Sequence, residues 1–108
     1  MSSVEGSGPT SPQDLQTYRQ EYKQGVDLFQ RALKEYSSAD EVHKKDAFKN
    51  VMENALQVLN DSARGMKRPD LLQKNQQIAK DFQDFQDTGS VQAKTQLSQD
   101  LKQAQGSV

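Results

Sequence analysis

Asp81, Asp84 and Asp87 recur at every third position, which sets three carboxylates near one side of a helix and raises the question of a carboxylate metal site. A calcium loop needs an irregular backbone turning on a glycine, and the helical di-iron proteins add a Glu-x-x-His element. Neither pattern occurs in the chain. The three aspartates therefore read as a solvated acidic edge. His43, the only histidine, stands beside Lys44 and Lys45 with no cysteine or nucleophile near it in sequence. It reads as an exposed side chain rather than a metal ligand or general base. No phosphate-cradling glycine loop, nucleophile elbow or zinc-ligand spacing is present. The expectation is a non-enzyme with no cofactor, no metal site and no small-molecule substrate.

The residues that could recognise something are aromatic and aliphatic. Tyr18, Tyr22, Phe29 and Tyr36 share with Leu15, Gly25 and Ala32 an unbroken alternation of steps of three and four, the signature of one face of a long helix. Tyrosine offers apolar area together with a hydroxyl and is enriched in interfaces. Most of this face reads as core, while Tyr18 and Tyr22 precede the part that pairs with the next helix and are expected to meet a partner. Leu97 and Leu101 are the corresponding expectation near the C-terminus, on a segment whose apolar side holds only Val91, Ala93, Leu97, Leu101 and Ala104.

These side chains must be positioned by helices. Ser11 as N-cap, Pro12 at the first helical position and Asp14 in the first turn predict a start, and the first helix is expected over about 11–36. Asp40 is the expected cap of a second helix, about 41–64, carrying Phe48, Val51, Met52, Ala55, Leu56, Leu59, Ala63 and Met66. Gly65 is the expected left-handed residue at its end. Pro69 and Asp70 predict a third helix over about 69–87, with Leu71, Leu72, Ile78, Phe82 and Phe85 on its stripe and Gly89 after it. Ser90 can cap the fourth segment, 91–105, which is expected to fray or to form against a partner. The short connection between the first two helices predicts an antiparallel hairpin. Gly25 on its seam marks a close crossing or a kink, because an interior glycine costs about 1 kcal/mol relative to Ala. Residues 1–10, rich in Ser, Gly and Pro, read as a disordered head, and 106–108 as a loose tail.

Composition narrows the classes of function. Fourteen Lys and Arg against fifteen Asp and Glu leave a net charge of −1, which gives no electrostatic reason to bind nucleic acid or an anionic membrane. Without cysteine there is no disulfide framework. No stretch approaches the ~20 apolar residues that span a bilayer, and the N-terminus lacks the apolar run of a cleaved signal peptide. A cytoplasmic chain with no membrane insertion is expected, with specialised secretion through a polar N-terminus as the alternative. The many glutamines read as a solvated helix face.

The stretch Gly25-Val26-Asp27-Leu28-Phe29-Gln30-Arg31-Ala32-Leu33-Lys34-Glu35-Tyr36 resembles the second helix of a tetratricopeptide repeat, and the corresponding helix of microtubule-interacting-and-trafficking domains. The resemblance implies a helix packed in a helical pair and carries over no peptide-binding residues. The overall design, a polar Ser/Gly/Pro head followed by a hairpin and further helices in a Gln-rich chain without cysteine, is similar to small helical components and chaperones of bacterial type III secretion systems.

The expected fold is all-α, a three- to four-helix up-and-down bundle with the hairpin on its N-terminal side. Its core should hold Phe29, Leu33, Phe48, Val51, Met52, Leu56, Leu59, Ile78 and Phe82. The expected function is non-catalytic binding of a partner's amphipathic helix, in a groove between the first and third helices or under the fourth segment. The alternatives are a self-associating subunit built on the heptad seam of the first helix and a secreted effector.

Overall fold

The structure is a computed structural model that describes residues 12–108. The expected head over 1–10 and the Ser11 cap lie outside the described residues. Four helices follow in order: α1 (Pro12–Ser38), α2 (Val42–Gly65), α3 (Pro69–Thr88) and α4 (Val91–Gly106). Each packs on its neighbour in sequence, most extensively α1 on α2, and α4 closes the ring against α1. The result is an all-α bundle measuring 53 × 24 × 18 Å.

Three joints set the course of the chain. α1 runs two residues past Tyr36, and there Ser37 and Ser38 return their hydroxyls to the carbonyls of Leu33 and Lys34 at 2.9 and 3.1 Å. The connection to α2 then shrinks to Ala39, Asp40 and Glu41. Glu41 rather than Asp40 flanks α2, and it makes no side-chain cap bond. Its carboxylate goes instead to His43 at 3.2 Å and Lys44 at 3.7 Å.

The end of α2 also differs from expectation. Gly65 is helical, and the left-handed residue is Lys67 with φ of 56°. Lys67 N–H donates to the Arg64 carbonyl and Arg68 N–H to the Ala63 carbonyl, each at 3.0 Å, the two-bond closure that requires a left-handed residue at this place. Gly65 is explained by packing: a Cβ there would lie 2.5 Å from the Tyr18 ring. A left-handed lysine costs about 1–2 kcal/mol. Lys67→Gly is therefore expected to raise stability by about 1 kcal/mol, read as a higher urea midpoint at unchanged m-value. A lower midpoint would show that contacts of the lysine outweigh its backbone strain.

Arg68 then forks onto the Asp70 carboxylate at 2.9 and 2.7 Å and donates to the Ser107 carbonyl at 3.1 Å. The guanidinium holds the Asp70 carboxyl well below the usual range, at about 2. This single side chain joins the α2–α3 link to the far end of α4. The last joint follows expectation, with Gly89 left-handed at φ 63° and Ser90 Oγ accepting from Ala93 N–H at 3.1 Å.

The core is continuous from α1 to α4. Phe29, Leu33, Met52, Leu59, Ile78 and Phe82 are buried as expected, whereas Phe48, Val51 and Leu56 are half-buried. The correction has a geometric cause. Gly25 would bring a Cβ to 3.0 Å from Leu59 Cδ2 and 3.2 Å from Val58 Cγ1, so α1 and α2 approach closely. The small residues Ala32, Ala55, Ser62 and Ala63 are buried with Gly25, while larger neighbours sit at the margin. Gly25 thus marks a close crossing.

Across the diagonal, α1 and α3 meet through side chains in parallel register. Tyr22 O–H donates to Asn75 Oδ1 at 2.6 Å. Two turns further on, Phe29 meets Phe82 edge to face with ring centroids 5.3 Å apart. Tyr36 meets Phe85 at 5.7 Å.

Candidate functional site

The structure separates the four residues expected to meet a partner. Tyr22, Leu97 and Leu101 have no exposed surface at all and share one core. Tyr18 alone is half-buried, its ring lying over Gly65. Three of the four are thus corrected to core residues. The reason is α4, which docks on α3 and α1 in its own chain and puts Leu97, Leu101 and Ala104 inside. The space expected to form a groove between α1 and α3 is filled by the Phe29–Phe82 and Tyr22–Asn75 contacts.

The acidic edge is also only partly solvated. Asp84 and Asp87 are exposed, but Asp81 is buried, with Oδ1 accepting from Gln77 Nε2 at 3.1 Å and Oδ2 unbonded. Asp100 on α4 repeats the arrangement with Gln96 at 3.0 Å. Gln57 with Asp61 and Gln83 with Asp87 complete a set of Gln-to-Asp bonds spanning one helical turn. Such pairs stabilise a helix by about 0.2–0.5 kcal/mol each. Part of the glutamine content thus serves the helices themselves, and Gln-x-x-x-Asp was the sequence signal for it. His43 is exposed, as expected. Among the described residues no cluster of His, Cys, Asp and Glu side chains could hold a metal ion. No described helix is long and apolar enough to cross a membrane.

What the bundle leaves open lies elsewhere. Leu28 on α1 is 42% exposed, and with half-buried Val58 of α2 it flanks a shallow crease of about 170 Å³ over Gly25, edged by Glu21 and Gln24. Neither Leu28 nor Val58 belongs to the core or to the apolar shell packed on it. Phe48, about 15 Å further along α2 at 1.5 Å per residue, lines a second cleft with Glu35, Asp40 and Lys44 on the same hairpin. Leu28 and Val58 were missed because each stands beside a ladder position rather than on it, Leu28 next to Phe29 and Val58 next to Leu59, while Phe48 stands on its ladder and was expected in the core. A large apolar residue just off the stripe was the available signal.

A further cavity, of about 370 Å³, opens at the bundle end where α1 and α3 finish and α2 and α4 begin. Its wall includes the Tyr36–Phe85 pair, Lys45, Ser90, Val91 and Lys94. Lys45 Nζ lies 4.8 Å from the centre of the Tyr36 ring and 3.5 Å from the Tyr36 carbonyl. Val91, the first residue of α4, is 78% exposed. A third cleft, of about 320 Å³ between α3 and α4, is polar and mixed in charge, with Asp70, Lys74 and Asp100 on its walls.

Comparisons of the chain with protein-family models, with curated proteins and with solved structures give no match.

Proposed function

We propose that the chain is a non-catalytic helical protein-protein interaction module, an adaptor or small chaperone, and that its partner lays an amphipathic helix along the outer seam of the α1–α2 hairpin. The observation that carries this reading is the exposure of Leu28 beside Val58 over the Gly25 crease. Both side chains lie outside a core that the four helices complete among themselves. A helix partner binds through apolar anchors that repeat along one of its stripes, and anchors about 15 Å apart lie about three turns from one another. Leu28, Val58 and Phe48 offer such anchors on a rigid pair of helices, with Glu21, Gln24 and Glu35 as a polar rim.

The test is Leu28→Glu. Leu28 is exposed and lies outside the core, so the variant should keep its helicity and unfold within about 0.5 kcal/mol of the parent. Binding to the partner captured from the native host should weaken at least about tenfold, the loss of one apolar anchor. A variant that binds as the parent does would remove the seam from the function. Sedimentation of the chain alone reads the competing occupant: a mass that rises with concentration in the parent, and not in Leu28→Glu, would assign the seam to a second copy.

A further inference from the structure

We infer that the cavity at the end of the bundle receives a carboxylate-bearing segment of a protein partner, an Asp or Glu side chain followed or preceded by a large apolar residue. The inference deepens the protein-binding reading, since it takes the ligand to be polypeptide, but it rests on a different part of the surface.

The first argument is the sign of the wall. The hairpin and α3–α4 clefts each include a carboxylate: Glu21 over Gly25, Glu35 and Asp40 beside Phe48, Asp70 and Asp100 between α3 and α4. The end cavity has none, and it has two lysines, Lys45 and Lys94. A concentration of positive charge in a chain of net charge −1 is a local choice rather than a reflection of composition.

The second argument is partnership. Lys44, Arg64 and Arg68 each sit within ion-pair distance of a carboxylate, in Glu41, Asp61 and Asp70. Among the described residues neither Lys45 nor Lys94 does. Both are half-buried, so their stems are packed while their ammonium groups keep donors to spare. Lys45 directs one contact to the Tyr36 carbonyl at the long distance of 3.5 Å. An ammonium group fixed over an aromatic ring gives up less freedom on binding a carboxylate than one on a free surface stem.

The third argument is the rest of the wall. Tyr36, Phe85 and Val91 give the cavity an apolar side, which suits a ligand whose charge is carried on a hydrophobic body and is wasted on a bare inorganic anion. At its rim stands Val91, the first residue of α4, whose backbone N–H has no intrahelical carbonyl to bond. Ser90 Oγ already serves Ala93. Two ammonium groups, the first amide of α4 and an aromatic wall together describe a receptor for an acidic residue next to a large apolar one.

The experiment uses the full chain and three labelled twelve-residue helical peptides that share one Leu stripe and carry Glu, Gln or Lys at every polar position. The Glu peptide should bind about tenfold more tightly than the Gln peptide, the Lys peptide should not bind, and the preference should grow as salt is lowered. Amide and ring NMR shifts should move at Tyr36, Phe85 and Val91. Lys45→Gln and Lys94→Gln, which keep the stems, should each reduce Glu-peptide affinity about threefold or more. The double reversal Lys45→Glu with Lys94→Glu should favour the Lys peptide, while reversal of the exposed Lys34 and Lys80 should change nothing. Equal binding of the Glu and Gln peptides, a Glu preference that survives the double reversal, shifts confined to other surfaces, or displacement by inorganic phosphate as efficient as by the peptide would each overturn the inference. Charge-blind binding lost in Leu28→Glu overturns it while leaving the hairpin reading in place. A native partner indifferent to Leu28→Glu but sensitive to the lysine variants does the reverse.

Discussion

Phe29→Ala is expected to lower the free energy of unfolding by about 3–5 kcal/mol, the range for removing a fully buried aromatic ring from a core that cannot collapse around the gap. Phe29 has no exposed surface, and its ring meets Phe82 edge to face at 5.3 Å with 77° between the planes. The contact matters beyond its area because α1 and α3 lie on the diagonal of the bundle. They are joined only through side chains of this kind, so a void there removes one of the ties between the hairpin and the α3–α4 pair and leaves the packing of α2 on α3 and of α4 on α1. A domain of this size has about 5–15 kcal/mol of net stability, so the variant should lose about a fifth or more of it and unfold tens of degrees lower. Urea unfolding followed by circular dichroism reads the loss. The matched control is Phe48→Ala, whose ring is half-buried and outside the core, and it should cost far less. Equal losses from the two substitutions would mean that the diagonal contact does not close the bundle.

The helices themselves were legible in the sequence, and the reason is the regularity of the signals that mark them. Pro69, Ser90 and Gly89 stand where a helix start or stop needs their particular backbone chemistry, and all three take those roles. What failed is instructive. Gly65 was expected to be left-handed because glycine most often fills that place, but its lack of a side chain serves the Tyr18 ring, and Lys67 takes the strained conformation. One residue type has two uses, and only a tertiary contact separates them. Tyr22 was expected at a surface because it precedes the hairpin's paired region, yet Asn75 of α3 covers it. Leu97 and Leu101 were expected to wait for a partner because their segment is the least apolar, yet α3 and α1 supply the missing surface. In both cases the periodicity established that a stripe exists and left open which neighbour would cover it. Candidate docking residues were the hardest to read for the same reason. Leu28 and Val58 are distinguished by standing outside the core, and Lys45 and Lys94 by facing a cavity whose wall holds no carboxylate, and no local pattern encodes either.

Tyr22 carries the other large expected effect, because a hydroxyl in the core is both a structural tie and a titrating group. Its O–H donates to Asn75 Oδ1 at 2.6 Å, and Asn75 Nδ2 donates in turn to Asn60 Oδ1 at 3.1 Å, so one polar chain links α1, α3 and α2 inside the bundle. Burial pushes the Tyr22 phenol up to about 12, the Asp70 carboxylate adds in the same direction and Arg68 opposes. An unfolded tyrosine titrates near ~10, so the protonated phenol is the form the fold favours. The contribution is complete below pH ~10 and is lost as the pH rises through 12. A shift of about two units corresponds to about 3 kcal/mol lost across that window. In Tyr22→Phe this part of the alkaline loss should vanish. At neutral pH the same variant should be about 1–3 kcal/mol less stable, because Asn75 Oδ1 is left buried without a donor. Adding Asn75→Leu should recover most of that cost, since the half-buried Asn60 can turn to water. Urea midpoints of the parent, the single and the double variant between pH 7 and 12 decide the matter. If Tyr22→Phe loses stability above pH 10 as steeply as the parent, a different group governs the alkaline transition, and the polar chain through the core is a register device without a titrating end.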